Sequence, residues 1–293
     1  MQRRSTGIRN LDFKTYKQLP IPLPPLAEQK RIVSILDEAF GAIAKAKENA
    51  ERNLANAKEL KQSILQKAFT GHLANHSGAG MSAWPERTLS ELCTIRPAKR
   101  ESKERLGISD AVSFVPMKDL PIDQKYLTAA KEKTLEQVYS GYTYFADGDV
   151  LLAKITPCFQ NGKLAIAGNL VNGVGFGSSE FIVFRPLEGL DSEFLYYYLS
   201  RKLFLDEGVA QMSGAVGHQR VPKEFIEQYL TPLPALSEQK RITSILDEAF
   251  GAIAKVNENA EQKLADLDEL KQSILQKAFT GQLTSKSSEL QSI

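Results

Sequence analysis

Along two stretches of this chain, apolar residues recur at spacings of three and four. In the first stretch they are Ile32, Leu36, Ala39, Ile43, Ala46, Ala50, Leu54, Ala57, Leu60, Ile64 and Ala68. In the second they are Ile242, Leu246, Ile253, Val256, Ala260, Leu264, Leu267, Ile274 and Ala278. A stripe this narrow predicts the seam of a coiled coil. Pro24-Pro25 and Pro234 stand just before the stretches, Gly71 and Gly281 stand near their ends, and no proline falls inside either. These are start and stop signals in the expected places. At 1.5 Å per residue, a helix of about 45 residues is roughly 65–70 Å long. Gly41 and Gly251 are points where each helix is weakened.

Between the stretches the pattern changes. Residues 83–235 show short β-type segments at 112–116, 141–145, 149–156, 163–168 and 181–185. Turn signals separate them at Asp147-Gly148, Asn161-Gly162, Asn172-Gly173 and Gly175 to Gly177. A helix is predicted at 192–206, with Phe194, Tyr197, Tyr198, Leu203 and Phe204 on its apolar side, and a shorter one at 222–229. The sum is an α+β domain with a mixed, twisted sheet.

The two helical stretches are one element used twice. Residues 27–73 and 237–283 align without a gap at an offset of 210, and 37 of the 47 positions are identical. Similarity extends upstream: Gln18/Gln228, Pro22/Pro232, Leu23/Leu233 and Pro24/Pro234 correspond. Residues 1–26 therefore read as the tail of another domain of the same kind. The organisation expected is this tail, a long helix over 27–74, a linker over 75–82, a domain over 83–235, a second long helix over 236–283, and a flexible tail over 284–293. Because one compact domain joins the end of the first helix to the start of the second, pairing within one chain is antiparallel.

Composition bounds the chemistry. The chain has 293 residues, 42% hydrophobic and 25% charged, which fits a folded protein. No apolar run reaches the roughly 20 residues of a membrane span, and Met1 to Gly7 leads into a polar segment, so no membrane association and a cytoplasmic location are expected. Two distant cysteines, Cys93 and Cys158, make neither a disulfide framework nor a zinc site. Net charge is +2, and residues 83–235 carry 17 Lys+Arg against 19 Asp+Glu. Any nucleic-acid contact must then rest on a local patch. A phosphate loop of the form Gly-x-x-x-x-Gly-Lys-Ser/Thr is missing. So is the Asn/Asp-Pro-Pro-aromatic motif of an amino-methyltransferase. Asp149 with Lys154 is a poor match to a nuclease pattern, since Leu152 stands where an acid is required.

Three features bring a family into view: LPPLAEQKRIVSILD returning as LPALSEQKRITSILD, LKQSILQKAFTG present twice, and GDVLLAKITPCFQNGKLAI followed by GFGSSEFIVFRP and GHQRVPKEFI. With these the chain resembles the specificity subunit of type I restriction–modification systems, lacking most of the first of two target recognition domains. The resemblance implies one mixed α/β target recognition domain at the tip of two long helices forming an antiparallel coiled coil. It implies sequence-specific binding of double-stranded DNA, reading one half of a bipartite site. It also implies docking of a methyltransferase (modification) subunit and an ATP-dependent restriction subunit. The chain is then not a catalyst and holds no cofactor of its own; S-adenosylmethionine, ATP and Mg²⁺ belong to partner subunits. A homodimer through the long helices is a further expectation, and such symmetry predicts an inverted-repeat site. Two other readings stay open: a coiled-coil adaptor that binds protein, favoured by the near-neutral middle domain, and an inactive remnant.

Candidate base-reading residues lie in polar loops leaving strands. One set is Lys154, Thr156, Gln160, Asn161 and Lys163; the other is His218, Gln219 and Arg220 in the glycine-containing loop 213–220. Lysine suits guanine acceptors, and glutamine and asparagine can engage adenine by two bonds. The plainer alternatives are a hairpin turn at Asn161-Gly162 and a flexible linker at 213–220. Ser178 and Ser179 read better as a strand-entry turn than as a phosphate site, and Tyr196, Tyr197 and Tyr198 better as core than as a stacking platform.

Overall fold

The computed structural model describes residues 2–3, 9–10, 12–69, 84–127, 131–215 and 217–284. In chain order its elements are β1 (Gln2–Arg3), β2 (Arg9–Asn10), α1 (Phe13–Tyr16), α2 (Leu26–Phe69), β3 (Glu86–Thr88), α3 (Leu89–Leu92), β4 (Cys93–Ile95) and α4 (Arg100–Arg105). They continue with β5 (Ala111–Val115), β6 (Lys131–Thr134), α5 (Leu135–Tyr139), β7 (Thr143–Ala146), β8 (Val150–Ala153), β9 (Leu164–Ile166), β10 (Val174–Gly177) and β11 (Phe181–Pro186). The last are α6 (Ser192–Leu199), α7 (Lys202–Gln211), α8 (Lys223–Gln228), β12 (Leu230–Pro232) and α9 (Leu236–Phe279). Two compact units result, one made of Met1–Ala57 with Ala254–Ile293, the other of Lys58–Ile253. Each long helix contributes to both.

In the first unit α2 and α9 run antiparallel. Lys47 pairs with Asp268, and Lys271 lies 5.3 Å from the Phe40 ring centre, so rising numbers on one helix meet falling numbers on the other. Ile43, Ala50 and Ala57, spaced by heptads, are buried, as are Ala260 and Ala278. Small alanines let the two backbones approach. The seam predicted from sequence holds along most of its length, but Leu60 and Val256 are each 51% exposed. A helix of 3.6 residues per turn drifts against a strict repeat and carries such positions off the contact line. The second helix ends at Phe279, four residues before the expected 283, and the first is described as far as Phe69. Residues 70–74, the linker 75–82, and all but the first residue of the 284–293 tail lie outside the described residues.

The second unit is layered. One four-stranded sheet has the order β4-β11-β8-β9 and is antiparallel throughout. The other has the order β6-β5-β10-β7, in which β5 and β10 are parallel. The single mixed sheet expected from sequence is thus two four-stranded sheets, with a separate antiparallel pair of β3 and β12. Alternation along β8 shows why its sequence VLLA is apolar without a break. Val150 and Leu152 face the cluster shared with α6 and the ends of α2 and α9, while Leu151 and Ala153 face the layer between the sheets. A strand covered on both sides has no polar face to show. β11 splits in the same way, Ile182 and Phe184 against Phe181 and Val183. α5 covers the outer face of the second sheet through Leu135 and Val138.

Two further departures from the sequence reading have physical causes. The glycines at 175 and 177 marked a turn by pattern, yet they lie in β10. A Cβ on Gly175 would stand 2.1 Å from the Phe145 ring, and one on Gly177 would stand 2.5 Å from the Phe181 ring and the Val115 carbonyl. Glycine is there to let aromatic rings lie on the strand. The helix expected at 192–206 breaks into α6 and α7 at Ser200-Arg201. Arg201, 6% exposed, turns its Nε–H back to the Tyr198 carbonyl at 2.8 Å and lies 3.6 Å from that ring's centre, closing the C-terminus of α6.

Candidate functional site

The segment leaving β8 and the segment before α8 are far apart in sequence and meet in space. Ile155 and Arg220 form an antiparallel bridge, as do Ser213 and Arg220. The Thr156 N–H donates to the Gln219 carbonyl at 3.0 Å, and the Gln219 N–H donates to Thr156 Oγ1 at 3.1 Å. The Val221 N–H donates to the Lys154 carbonyl at 3.0 Å. These bonds hold 219–221 as a ledge against 154–156, and Ser213 pairs with Arg220, so both ends of the loop are tied down. Lys154, Thr156, His218, Gln219 and Arg220, drawn from both candidate sets, are therefore neighbours.

Charge on the ledge is arranged around Glu180. Arg220 grips it side-on, Nε and Nη2 donating to the two carboxylate oxygens at 2.9 and 2.8 Å. Lys154 Nζ donates to the Ser179 carbonyl at 2.9 Å and stands 3.8 Å from Glu180. Hydrogen bonding from Arg220 holds the Glu180 carboxyl below its ordinary range, against a smaller opposing effect of burial. The Lys154 ammonium is held below its ordinary value, first by burial and then by the nearby Arg96 charge. Arg96, which the sequence reading passed over, is exposed and sits in the left-handed region at φ 58°. Its backbone N–H donates to the Val183 carbonyl at 2.8 Å. With Arg96, Lys154 and Arg220 around one carboxylate, the ledge is a local basic patch in a domain of near-neutral charge.

The remaining candidates lie elsewhere. Gln160 and Asn161 line a separate depression of about 400 Å³ with Lys58, Gln62, Tyr196 and Lys202. Asn161-Gly162 is not a two-residue hairpin turn, since β8 and β9 are joined by a longer connection that coils through 157–162. Lys163 is fully engaged: Nζ donates to the carbonyls of Met117, Lys118 and Leu120 at 2.9, 3.2 and 2.7 Å. This ammonium staples the 117–120 turn to the sheet. Lys163→Met is expected to lower stability by about 1.5–3 kcal/mol, read as a shift in the thermal unfolding midpoint. A normal midpoint with altered DNA preference would instead make Lys163 a reader.

Ser178 accepts the Glu180 N–H at its Oγ and the Phe181 N–H at its carbonyl, which makes 178–181 a strand-entry turn. Tyr196, Tyr197 and Tyr198 are 5, 4 and 6% exposed and belong to the core. Neither Arg96 nor Glu180 carried a readable signal, because a left-handed arginine and a carboxylate between two cations are products of folding.

Comparison with known proteins agrees with this architecture. The family model described as the type I restriction modification DNA specificity domain matches residues 1–52 and 81–264. The chain is 33% identical over 251 residues to the EcoEI specificity subunit of Escherichia coli, a match covering 69% of this chain and 41% of that one. It is 37% identical over 166 residues to the EcoAI specificity subunit of the same species, covering 54% of this chain and 26% of that one. The chain thus spans less than half the length of these relatives. Among solved structures, the HsdS subunit from Thermoanaerobacter tengcongensis has a TM-score of 0.54 at 24% identity, covering 96% of this chain and 65% of that one. A chain from a structural study of complex assembly and conformational transition in the type I R-M system reaches 0.68 at 24% identity, covering 90% and 62%. With the family model matching well over half of the sequence, and an α+β domain between two antiparallel long helices, the chain belongs to the type I restriction–modification DNA specificity family.

Proposed function

We propose that this chain recognises one half of a bipartite sequence in double-stranded DNA and presents it to the catalytic subunits of a type I restriction–modification enzyme, without being a catalyst itself. The observation that carries the proposal is the ledge. A chain of near-neutral charge gathers Arg96, Lys154 and Arg220 on one surface, beside the donor–acceptor side chains of Gln219 and Thr156. Charge of this kind holds phosphates, and amide and guanidinium groups read base edges. Lys163 serves by fixing the turn beside β9. The methyltransferase and the ATP-dependent nuclease dock on the long helices, and S-adenosylmethionine, ATP and Mg²⁺ are held by those subunits.

A groove in the first unit supports a second copy as partner. In the first unit an apolar groove of about 650 Å³ is lined by Leu23, Ile32, Val33, Leu36 and Phe279. The repeat equivalents of Ile32 and Leu36 are Ile242 and Leu246, which are wholly buried in the second unit. A homodimer covering this groove predicts a spaced inverted repeat as the site.

The test is selection of bound duplexes from a random pool, with the methyltransferase subunit present and the mass of the complex measured alongside. A short enriched motif, with affinity that falls steeply as salt rises, is expected. Enrichment as a spaced inverted pair marks two domains at work. Absence of any motif from an intact complex supports the protein-binding adaptor instead.

A further inference from the structure

A carboxylate in the middle of a surface meant for a polyanion repels phosphate, so its presence calls for a reason. Glu180 lies at the entry to β11 with its side chain between Lys154 and Arg220. Arg220 is anchored on both sides of its backbone by bridges to Ile155 and Ser213. Its side chain is 48% exposed, and an arginine so placed on a bare surface samples many rotamers. Here the two-point bond to Glu180 fixes the guanidinium plane.

The geometry also fixes which edge remains. Arginine carries five N–H groups in a planar fork. Glu180 takes Nε–H and one Nη2–H, and the His218 carbonyl takes one Nη1–H over a long 3.3 Å. Each Nη keeps one N–H that no described residue accepts. Two parallel donors match two adjacent acceptors, and among the base edges of the major groove guanine offers these as O6 and N7. Adenine sets a donor amino group beside its N7, which opposes one of the two.

We infer that Glu180 is the positioning residue that makes Arg220 a guanine reader, so the half-site contains a guanine at one fixed position. This rests on the DNA-binding reading above. Lys154, bonded to the Ser179 carbonyl and 3.8 Å from the carboxylate, adds its charge to the hold that Arg220 has on Glu180.

The experiment compares the full chain with its Glu180→Gln, Arg220→Lys and Arg220→Ala variants, each with the methyltransferase subunit. The readouts are motif enrichment and competition between duplexes that differ at single positions. The parent chain is expected to prefer guanine at one position by about ten- to a hundredfold. Glu180→Gln is expected to cut that preference to a few fold at that position alone. Its affinity for random duplex holds or rises, because a negative charge has gone. Arg220→Lys keeps the charge but loses the fork, so it flattens the same position while the salt dependence stays. Arg220→Ala flattens that position and lowers the salt dependence as well. A purely structural Glu180 lowers binding to every sequence equally, and that result overturns the inference. So does full guanine preference in Glu180→Gln. A parent chain that enriches no motif removes the DNA-binding reading itself, which is a different failure from a parent motif that survives in Glu180→Gln.

Discussion

Phe69→Ala is expected to lower stability by about 3–5 kcal/mol, while Phe279→Ala, the same change in the other copy of the repeat, is expected to alter it by less than about 0.5 kcal/mol. Both residues stand in the sequence ILQKAF. Phe69 is 1% exposed, its ring centre 5.1 Å from Phe194 and 5.2 Å from Tyr198 in edge-to-face contact, with Arg201 at 5.4 Å. Removing it opens a cavity where α2 meets α6. Phe279 is 64% exposed and loses little by truncation. Urea denaturation of both variants, at a protein concentration low enough to keep the chain monomeric, measures the pair. Similar losses in the two would mean that Phe69 does not hold the domain to its helix.

The second large effect is expected at Arg185. Asp149 is 1% exposed, and its carboxylate is gripped by Arg185 Nε and Nη2 at 2.8 Å each. It also accepts the Ala146 N–H at 2.7 Å, closing the turn between β7 and β8. Arg185→Met leaves that carboxylate buried without a countercharge, at a cost of about 3–5 kcal/mol at neutral pH. Burial already holds the Asp149 carboxyl above its ordinary value of 3.8 with the arginine in place, and loss of the arginine raises it further. A carboxyl raised in the folded state is a cost that is full above the folded value. The cost fades as pH falls and is gone below the unfolded value, where both states are protonated. The gap between variant and parent therefore narrows toward acid. A gap that is constant from pH 7 to pH 4 would assign the loss to packing around the arginine stem and not to the buried charge.

Much of the architecture was legible in the sequence. The heptad spacing of Ile43, Ala50 and Ala57 predicted a seam, and all three are buried. The repeat predicted two equal helices, and each is 44 residues long. The reason is local: a coiled coil is written in a short period along one chain, so pattern alone exposes it. The strands of the domain were partly legible, because β5, β8 and β11 are apolar runs. β10 was not, since Gly175 and Gly177 signal turns until Phe145 and Phe181 are seen lying on them.

The candidate site was legible only as two lists. That Lys154 and Thr156 belong with Gln219 and Arg220 depends on backbone bonds between segments some 60 residues apart, and nothing in either segment announces the other. Nor could sequence separate Lys154, on the ledge, from Lys163, whose protons are spent on three carbonyls.

The repeat makes the division plain. Gln29 and Gln239 each donate to a proline carbonyl five residues earlier, at 2.8 Å in both copies, because that lock is local and the repeat supplies the same proline and glutamine twice. Among the described residues only Gln239 goes further, donating to the Gly189 carbonyl and accepting the Asp191 N–H, both at 2.8 Å, and it is wholly buried. Sequence by itself determined the helices, their seam, their duplication and the family. Which copy of each repeated residue becomes core, and which cations face outward together, was decided by tertiary structure, because burial and charge proximity depend on what packs against a residue and not on its neighbours in the chain.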